Sequence, residues 1–304
     1  MPSSVAAAGD ALGAGYEFGP ALPDGSPVHM KGGGQFGWEP GEWTDDTSMA
    51  VPLAFVLADG MSLADEASLD RVVAEWSAWA VGAKDVGIQT RALLTSLAEP
   101  AAAAARAAAA AYFRSHPDGA AGNGTLMRTG PVALGHLADG QEDALAAVAR
   151  DVSDLTHADP DTGDACVLWS LAIRHAIREG ELDLDGQLPW LPESRRSPWA
   201  GLIKEAEARQ PVDFPRNGWV VHALQAAWSA IRHGEGLVDA LERAVRGGGD
   251  TDTVAAIAGS LAGAVHGASA VPAHWREVLH GWPGFDADGL AGVAVRAVAR
   301  SAAV

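Results

Sequence analysis

The chain has 304 residues, 48% of them apolar, and a formal charge of −18 from 21 basic against 39 acidic residues. That is enough apolar content for the core of one large domain, while the acidic balance excludes the polybasic surface needed for bulk nucleic-acid or anionic-membrane binding. The single cysteine, Cys166, rules out an intrachain disulfide and a multi-thiolate zinc site, and neither a membrane span of roughly 20 apolar residues nor a signal-peptide pattern is found, so one cytoplasmic domain over 1–304 is expected. In chain order, the Gly- and Pro-rich stretch 19–43 reads as loop. Apolar residues three and four apart then predict a helix entered at Thr44 and running through Met49, Leu53, Val56 and Leu57, where Pro52 is tolerable only near the first turn. Further helices are predicted over about 66–81, over the Ala-rich 101–114, over about 142–156 ending before His157, and over 164–179. Residues 181–218 carry Pro189, Pro192, Pro198, Pro211 and Pro215 and read as a long loop insertion, covering a cleft or lying on the surface. Helices resume at 219–233 and 236–246. After Gly249 a last one has Val254, Ile257, Leu261 and Val265 as its buried stripe, and Ala255, Gly259, Gly263 and Gly267 as a small face that lets it lie close to a neighbour. Strand-type alternation is nearly absent, so the expected fold class is all-α. Cys166, beside Leu168 and Trp169, reads as a buried thiol.

Two acidic knots interrupt this pattern: Thr44-Asp45-Asp46-Thr47 and Gly249-Asp250-Thr251-Asp252-Thr253. Each enters a helix, where carboxylates are favoured by free N–H groups and the macrodipole, so either alone is explained as a cap with a surplus acid. Two such knots suggest one shared site, because clustered carboxylates repel unless a cation neutralises them. Asp and Thr oxygens with no nearby His or Cys select a hard cation, Mg²⁺ or Mn²⁺. Four carboxylates match two ions better than one. The pattern is not an EF-hand loop, and no Gly-Lys-Ser/Thr phosphate loop is present. Asp250-Thr251-Asp252-Thr253 also looks like the aspartyl nucleophile motif of haloacid-dehalogenase-type phosphatases, but a helical segment precedes it where that motif needs an apolar strand.

With these knots in place the chain resembles the ADP-ribosylglycohydrolase family, which includes dinitrogenase reductase-activating glycohydrolase and the ADP-ribosyl-acceptor hydrolases. The matching blocks are Gly9-Asp10-Ala11-Leu12-Gly13 with Glu17 and Phe18, Gly32-Gly33-Gly34 before Pro40-Gly41, and the first knot. Then follow Gly122-Asn123-Gly124 with Met127-Arg128, Thr156-His157, and the second knot with its Gly259/Gly263 helix. The resemblance spans about residues 6–270. It implies a single all-α domain with a central binuclear metal cleft and hydrolysis of the bond from ADP-ribose to an acceptor. Thr44, Asp45, Asp46, Asp250, Asp252 and Thr253 would hold two Mg²⁺ ions (or Mn²⁺) that grip the terminal ribose. Glu17 would be the general acid/base or the group that positions the water, with Asp250 the competing candidate. Asp10, Gly122, Asn123, Gly124, Met127 and His157 would contact the substrate, the glycine loop as an anion-binding nest. The expected partner is an ADP-ribosylated protein side chain, arginine first; serine, a nucleobase or a small molecule stay open as acceptors, and a non-catalytic, crystallin-like member is the alternative. Oligomeric state is not readable.

Overall fold

Helix α1 (Pro2–Gly13) and helix α11 (Thr251–His266) lie backbone against backbone, because glycine faces each of the two across the contact. A Cβ on Gly9 would fall 2.2 Å from the Ala255 carbonyl oxygen, one on Gly13 2.4 Å from the Asp252 Cα, and one on Gly259 2.6 Å from the Val5 carbonyl oxygen. Only residues without a side chain permit that approach, and it brings Asp10 and Asp252 to one place. Gly267 lies just past the end of α11, with φ +76°, and caps it instead of extending the small face.

The computed structural model describes residues 2–301. Around the α1/α11 pair it places α2 (Asp45–Ala58), α3 (Glu66–Ala80), α4 (Ile88–Ser96), α5 (Ala102–Ser115), α6 (Glu142–Asp154) and α7 (Pro160–Glu179). They are followed by α8 (Glu193–Ala208), α9 (Val220–His233) and α10 (Leu237–Arg246), and after α11 by the short α12 (Ala273–Arg276) and α13 (Ala287–Ser301). The only strands among the described residues, β1 (His280–Gly281) and β2 (Phe285–Asp286), form an antiparallel hairpin. The fold is therefore all-α, in one hydrophobic core. Trp43, Trp76, Trp169 and Trp199 are fully buried in it, and all four spend their N–H inside: Trp43 on the Trp282 carbonyl (3.2 Å), Trp76 on the Met49 carbonyl (2.9 Å), Trp169 on Ser260 Oγ (2.9 Å) and Trp199 on Asp164 Oδ2 (3.1 Å). Cys166 is buried as expected. No helix among the described residues is long and apolar enough to cross a membrane.

The expected loop over 181–218 is corrected: α8 fills its middle. Of its five prolines only Pro198 falls within that helix, and the others flank it, where proline ends or starts helices instead of breaking them. Of this stretch only Gly218, at its very end, lines the cleft described below. Arg195 pairs with Asp161 and Asp164 on α7, and Trp199 Nε1 donates to Asp164 Oδ2 (3.1 Å), which pins α8 against α7. Pro52 departs from expectation too, since α2 runs through it to Ala58. Buried packing on both sides of α2 holds that helix against the missing hydrogen bond.

Candidate metal centre and substrate cleft

Thr44 is the N-cap of α2 and Asp250 that of α11, so both acidic knots stand at helix starts. Backbone ties close them around one point. Phe18 N–H donates to the Gly249 carbonyl (2.7 Å) and Gly249 N–H to the Gly19 carbonyl (3.0 Å), which fixes the segment carrying Glu17 to the second knot. Gly249 has φ +73°, and a Cβ there would lie 2.5 Å from Asn217 Oδ1, so glycine alone fits. Asn217 then works as a three-way bracket. Its Oδ1 accepts the Asp250 N–H (3.0 Å), its amide donates to the Gly248 carbonyl (2.8 Å), and its carbonyl accepts the Asn123 amide (2.8 Å).

Asp10, Asp46 and Asp252 each bring a carboxylate oxygen within 4.8 Å of the other two, as do Glu17, Asp250 and Asp252. Asp252 belongs to both triads and joins them into one centre. Thr44 and Thr253 donate their hydroxyls to the two oxygens of Asp46 (3.0 and 2.9 Å), and Asp45 Oδ2 accepts the Gly87 N–H (3.3 Å). Burial first, and mutual repulsion second, raise these carboxyls far above their usual range: Glu17 to about 9, Asp45 to about 8, Asp46 and Asp252 strongly upward. Asp252 Oδ1 and Glu17 Oε2 are buried without any hydrogen-bond partner. A buried carboxylate oxygen facing other carboxylates with no donor is strongly unfavourable unless a cation is bound, and an all-oxygen donor set is what Mg²⁺ or Mn²⁺ takes. The residues present fit such ions.

Beside the centre opens a cleft of about 550 Å³, bordered by Glu17, Asp45, Asp250 and Thr253 and, across it, by Gly122–Gly124, Met127 and His157. Of the residues singled out in the sequence, Glu17, Asp46, Asp250 and Asp252 fall in the triads, Thr44 and Thr253 bond to Asp46, and Asp45 stands in the cleft wall. Asp10 does not reach substrate space and corrects the expectation of a contact: it is fully buried. Its carboxylate accepts the Thr44 N–H (2.9 Å), the Thr47 N–H (3.0 Å) and the Thr47 hydroxyl (2.6 Å), making it the brace that holds the start of α2 against α1. Asn123 also turns inward: its N–H donates to the Gly218 carbonyl (3.1 Å) and its amide to Asp250 Oδ2 (2.7 Å), so its contribution to an anion nest is already spent.

Behind the glycine loop runs a buried chain of donors. Arg128 is 0% exposed, has no carboxylate partner, and lies 4.2 Å from the Trp76 ring centroid. Its guanidinium donates to the Gly124 carbonyl (3.2 Å) and to Thr156 Oγ1 (2.6 Å). Thr156 Oγ1, accepting from Arg128, has its own hydrogen left for His157 Nδ1 at 2.8 Å. That assignment makes His157 the Nε2–H tautomer. Burial, and Arg128 after it, lower the imidazole to about 3, so it is neutral. The ring lies directly under the loop: a Cβ on Gly122 would stand 3.1 Å from Nε2 and one on Gly124 3.3 Å from Cε1.

Asp85 and Asn217 escaped sequence reasoning. Asp85 lines the cleft, raised by burial, but follows a lone lysine in a short turn. The Asn217-Gly218 pair was visible only as a turn signal.

The family model for ADP-ribosylglycohydrolase matches residues 5–303. The chain belongs to the ADP-ribosylglycohydrolase family. It is 30% identical over 285 residues to ADP-ribosyl-[dinitrogen reductase] glycohydrolase of Rhodospirillum rubrum, covering 90% of this chain and 87% of that protein. It is 28% identical over 283 residues to ADP-ribosylarginine hydrolase Tri1 of Serratia proteamaculans (strain 568), covering 90% and 72%. A solved structure described as an ADP-ribosylglycohydrolase-related protein complex superposes with a TM-score of 0.74 at 27% identity, over 99% of this chain and 96% of the other.

Proposed function

We propose that the protein hydrolyses the glycosidic bond between ADP-ribose and an acceptor, foremost an arginine side chain of a modified protein, with two Mg²⁺ ions, or Mn²⁺ in their place, at the joined triads. The observation that carries this reading is the pair of unpartnered buried oxygens, Asp252 Oδ1 and Glu17 Oε2, beside a cleft in a chain that matches the family over nearly its whole length. Thr44, Asp45, Asp46, Asp250, Asp252 and Thr253 would hold the ions, which supply orientation of the ribose hydroxyls and Lewis-acid polarisation next to the anomeric carbon.

The remaining work belongs to the chain's own side chains. In the overall hydrolysis the bond from the anomeric carbon to the acceptor heteroatom breaks, water gives its oxygen to that carbon, and a proton ends on the acceptor. Glu17 is placed to pass that proton: its carboxyl is raised by burial and neighbouring charges, and one of its oxygens is uncommitted. Asp250 competes less well, because its Oδ2 is tied to the Asn123 amide. His157, as a neutral Nε2–H tautomer, can donate to an oxygen of the bound nucleotide but cannot act as an acid near neutral pH. A non-catalytic member of the fold would have no use for an uncommitted acid at this point.

Incubation with MgCl₂ and mono-ADP-ribosylated arginine peptide, serine peptide or nucleic acid, following free ADP-ribose, tests the proposal. Release from the arginine substrate is expected. No release from any of them, with no divalent metal retained by the purified protein, would overturn it.

A further inference from the structure

A second cavity, of about 360 Å³, shares Asp45 and Asp85 with the cleft. Its other walls are mostly tryptophan: Trp38, Trp43, Trp79 and Trp282 surround it, with Glu42 and Lys84 at the edge. Four of the 11 tryptophans thus stand around one space, two of them, Trp43 and Trp79, also packed in the core. Trp38 is 7% exposed, and its indole N–H is buried without an acceptor. The Lys84 amine lies 5.1 Å from the Trp38 ring centroid and 2.6 Å from Glu42 Oε2, so this wall already carries one cation over an aromatic face beside a carboxylate. Lys84 is the only basic residue in these walls and pairs with Glu42, so Asp85, which feels Arg91 only at longer range, has no direct ion pair in the cavity. Past Glu42, Lys84 and Trp282 the cavity meets a shallow outer groove of about 530 Å³ edged by Glu39, His280 and Asp286.

If bond cleavage takes place at the joined triads, ADP-ribose fills the 550 Å³ cleft, and the acceptor has to extend through a different opening that also touches the centre. The tryptophan cavity meets that requirement: it adjoins the cleft at Asp45 and Asp85, and its wall residue Thr44 donates its hydroxyl to Asp46 of the centre. Guanidinium is planar, weakly hydrated, stacks on aromatic rings and bonds to carboxylates, and its aliphatic stem suits an apolar wall. A seryl acceptor is too small and too polar to use such a box. We propose that this cavity is the acceptor subsite, receiving the guanidinium and stem of an arginine side chain, and that the acidic outer groove carries the polypeptide on which the arginine stands. The assignment rests on the hydrolase reading above, and its test separates the two.

Trp282→Ala removes one wall while keeping the carbonyl that accepts the Trp43 N–H (3.2 Å), and Trp282→Phe preserves an aromatic face. With a mono-ADP-ribosylated arginine peptide, Trp282→Ala should raise KM about tenfold, in proportion to one lost aromatic contact with a cation. Trp282→Phe should stay within about threefold of wild type, and affinity for free ADP-ribose should be unchanged in both. In parallel, indole ¹H–¹⁵N spectra in Mg²⁺ should show Trp38 and Trp282 shifting on addition of Nα-acetyl-arginine methylamide but not of the seryl analogue. Hydrolysis with an unaltered KM in Trp282→Ala and no indole shifts would overturn the subsite and leave the hydrolase reading standing. Indole shifts without hydrolysis of any substrate would overturn the hydrolase reading and, with it, the acceptor role, leaving only an arginine-binding cavity.

Discussion

Replacing Asp252 by Asn should make the metal-free protein more stable, the reverse of what loss of a native contact does. Asp252 is 2% exposed, has one oxygen with no partner, and shares two carboxylate triads whose ligand atoms lie within 4.8 Å of each other. At that separation and an effective dielectric of about 20, each fully charged neighbour opposes it by roughly 3.5 kcal/mol. These groups are not all charged at once, because burial holds Asp252 itself and several neighbours partly protonated, so a net gain of at most about 3 kcal/mol is expected for the Asn variant in EDTA at pH 8. For a chain of this size that corresponds to at most roughly 5 °C in Tm. In Mg²⁺ at about a hundredfold excess over Kd the wild type gains about 2.7 kcal/mol by binding, and the variant, short of a ligand to both triads, gains almost nothing. The two curves therefore converge or cross on adding Mg²⁺, while turnover is lost in the variant only. Calorimetry of both proteins in EDTA and in MgCl₂ reads all four values. A variant that is less stable in EDTA and keeps the full metal-induced rise would refute the assignment of Asp252 to a cation site.

pH dependence follows from the same groups. Native Glu17 titrates near 9 and Asp45 near 8, against ordinary values of 4.5 and 3.8, so between those limits the native state binds more protons than the unfolded one. Metal-free stability should then fall as pH rises from about 5 to 9, and saturating Mg²⁺ should flatten that slope, as chemical denaturation at each pH will show. Glu17→Gln should lower kcat by roughly 10²–10⁴-fold with little change in ADP-ribose affinity, and an equal loss in both would make Glu17 a binding group only. Thr156→Val should break the link from Arg128 to His157, and ¹⁵N imidazole shifts should report loss of the pure Nε2–H tautomer with ADP-ribose affinity down about tenfold; Thr156→Ser should restore both. Gly249→Ala forces a Cβ to within 2.5 Å of Asn217 Oδ1 at φ +73° and should reduce stability by about 2 kcal/mol or more in urea unfolding, with metal binding weakened alongside.

Local sequence determined most of the helices, since 3.6-residue periodicity with a cap or glycine at each end is a property of neighbours in the chain. It also determined both acidic knots and the small face of α11, because crowded carboxylates and glycines every fourth residue are visible without coordinates. Its failures had local causes. Prolines around Pro198 masked α8, the Ala- and Ser-rich α1 has no apolar stripe to betray it, and the nine-residue α4 is too short to show a period. Only the tertiary structure decided what the knots do together. Asp46 and Asp252 are 206 positions apart, and it is the glycine-to-backbone contact of α1 with α11 that lets Asp10 brace the start of α2 beside Asp252. The same packing turned Asp10 inward, gave Asn123 to Asp250, and set Asp85 and four tryptophans around a second cavity. No periodicity or spacing encodes those neighbours, because long-range contacts are chosen by how whole helices pack and not by the residues on either side.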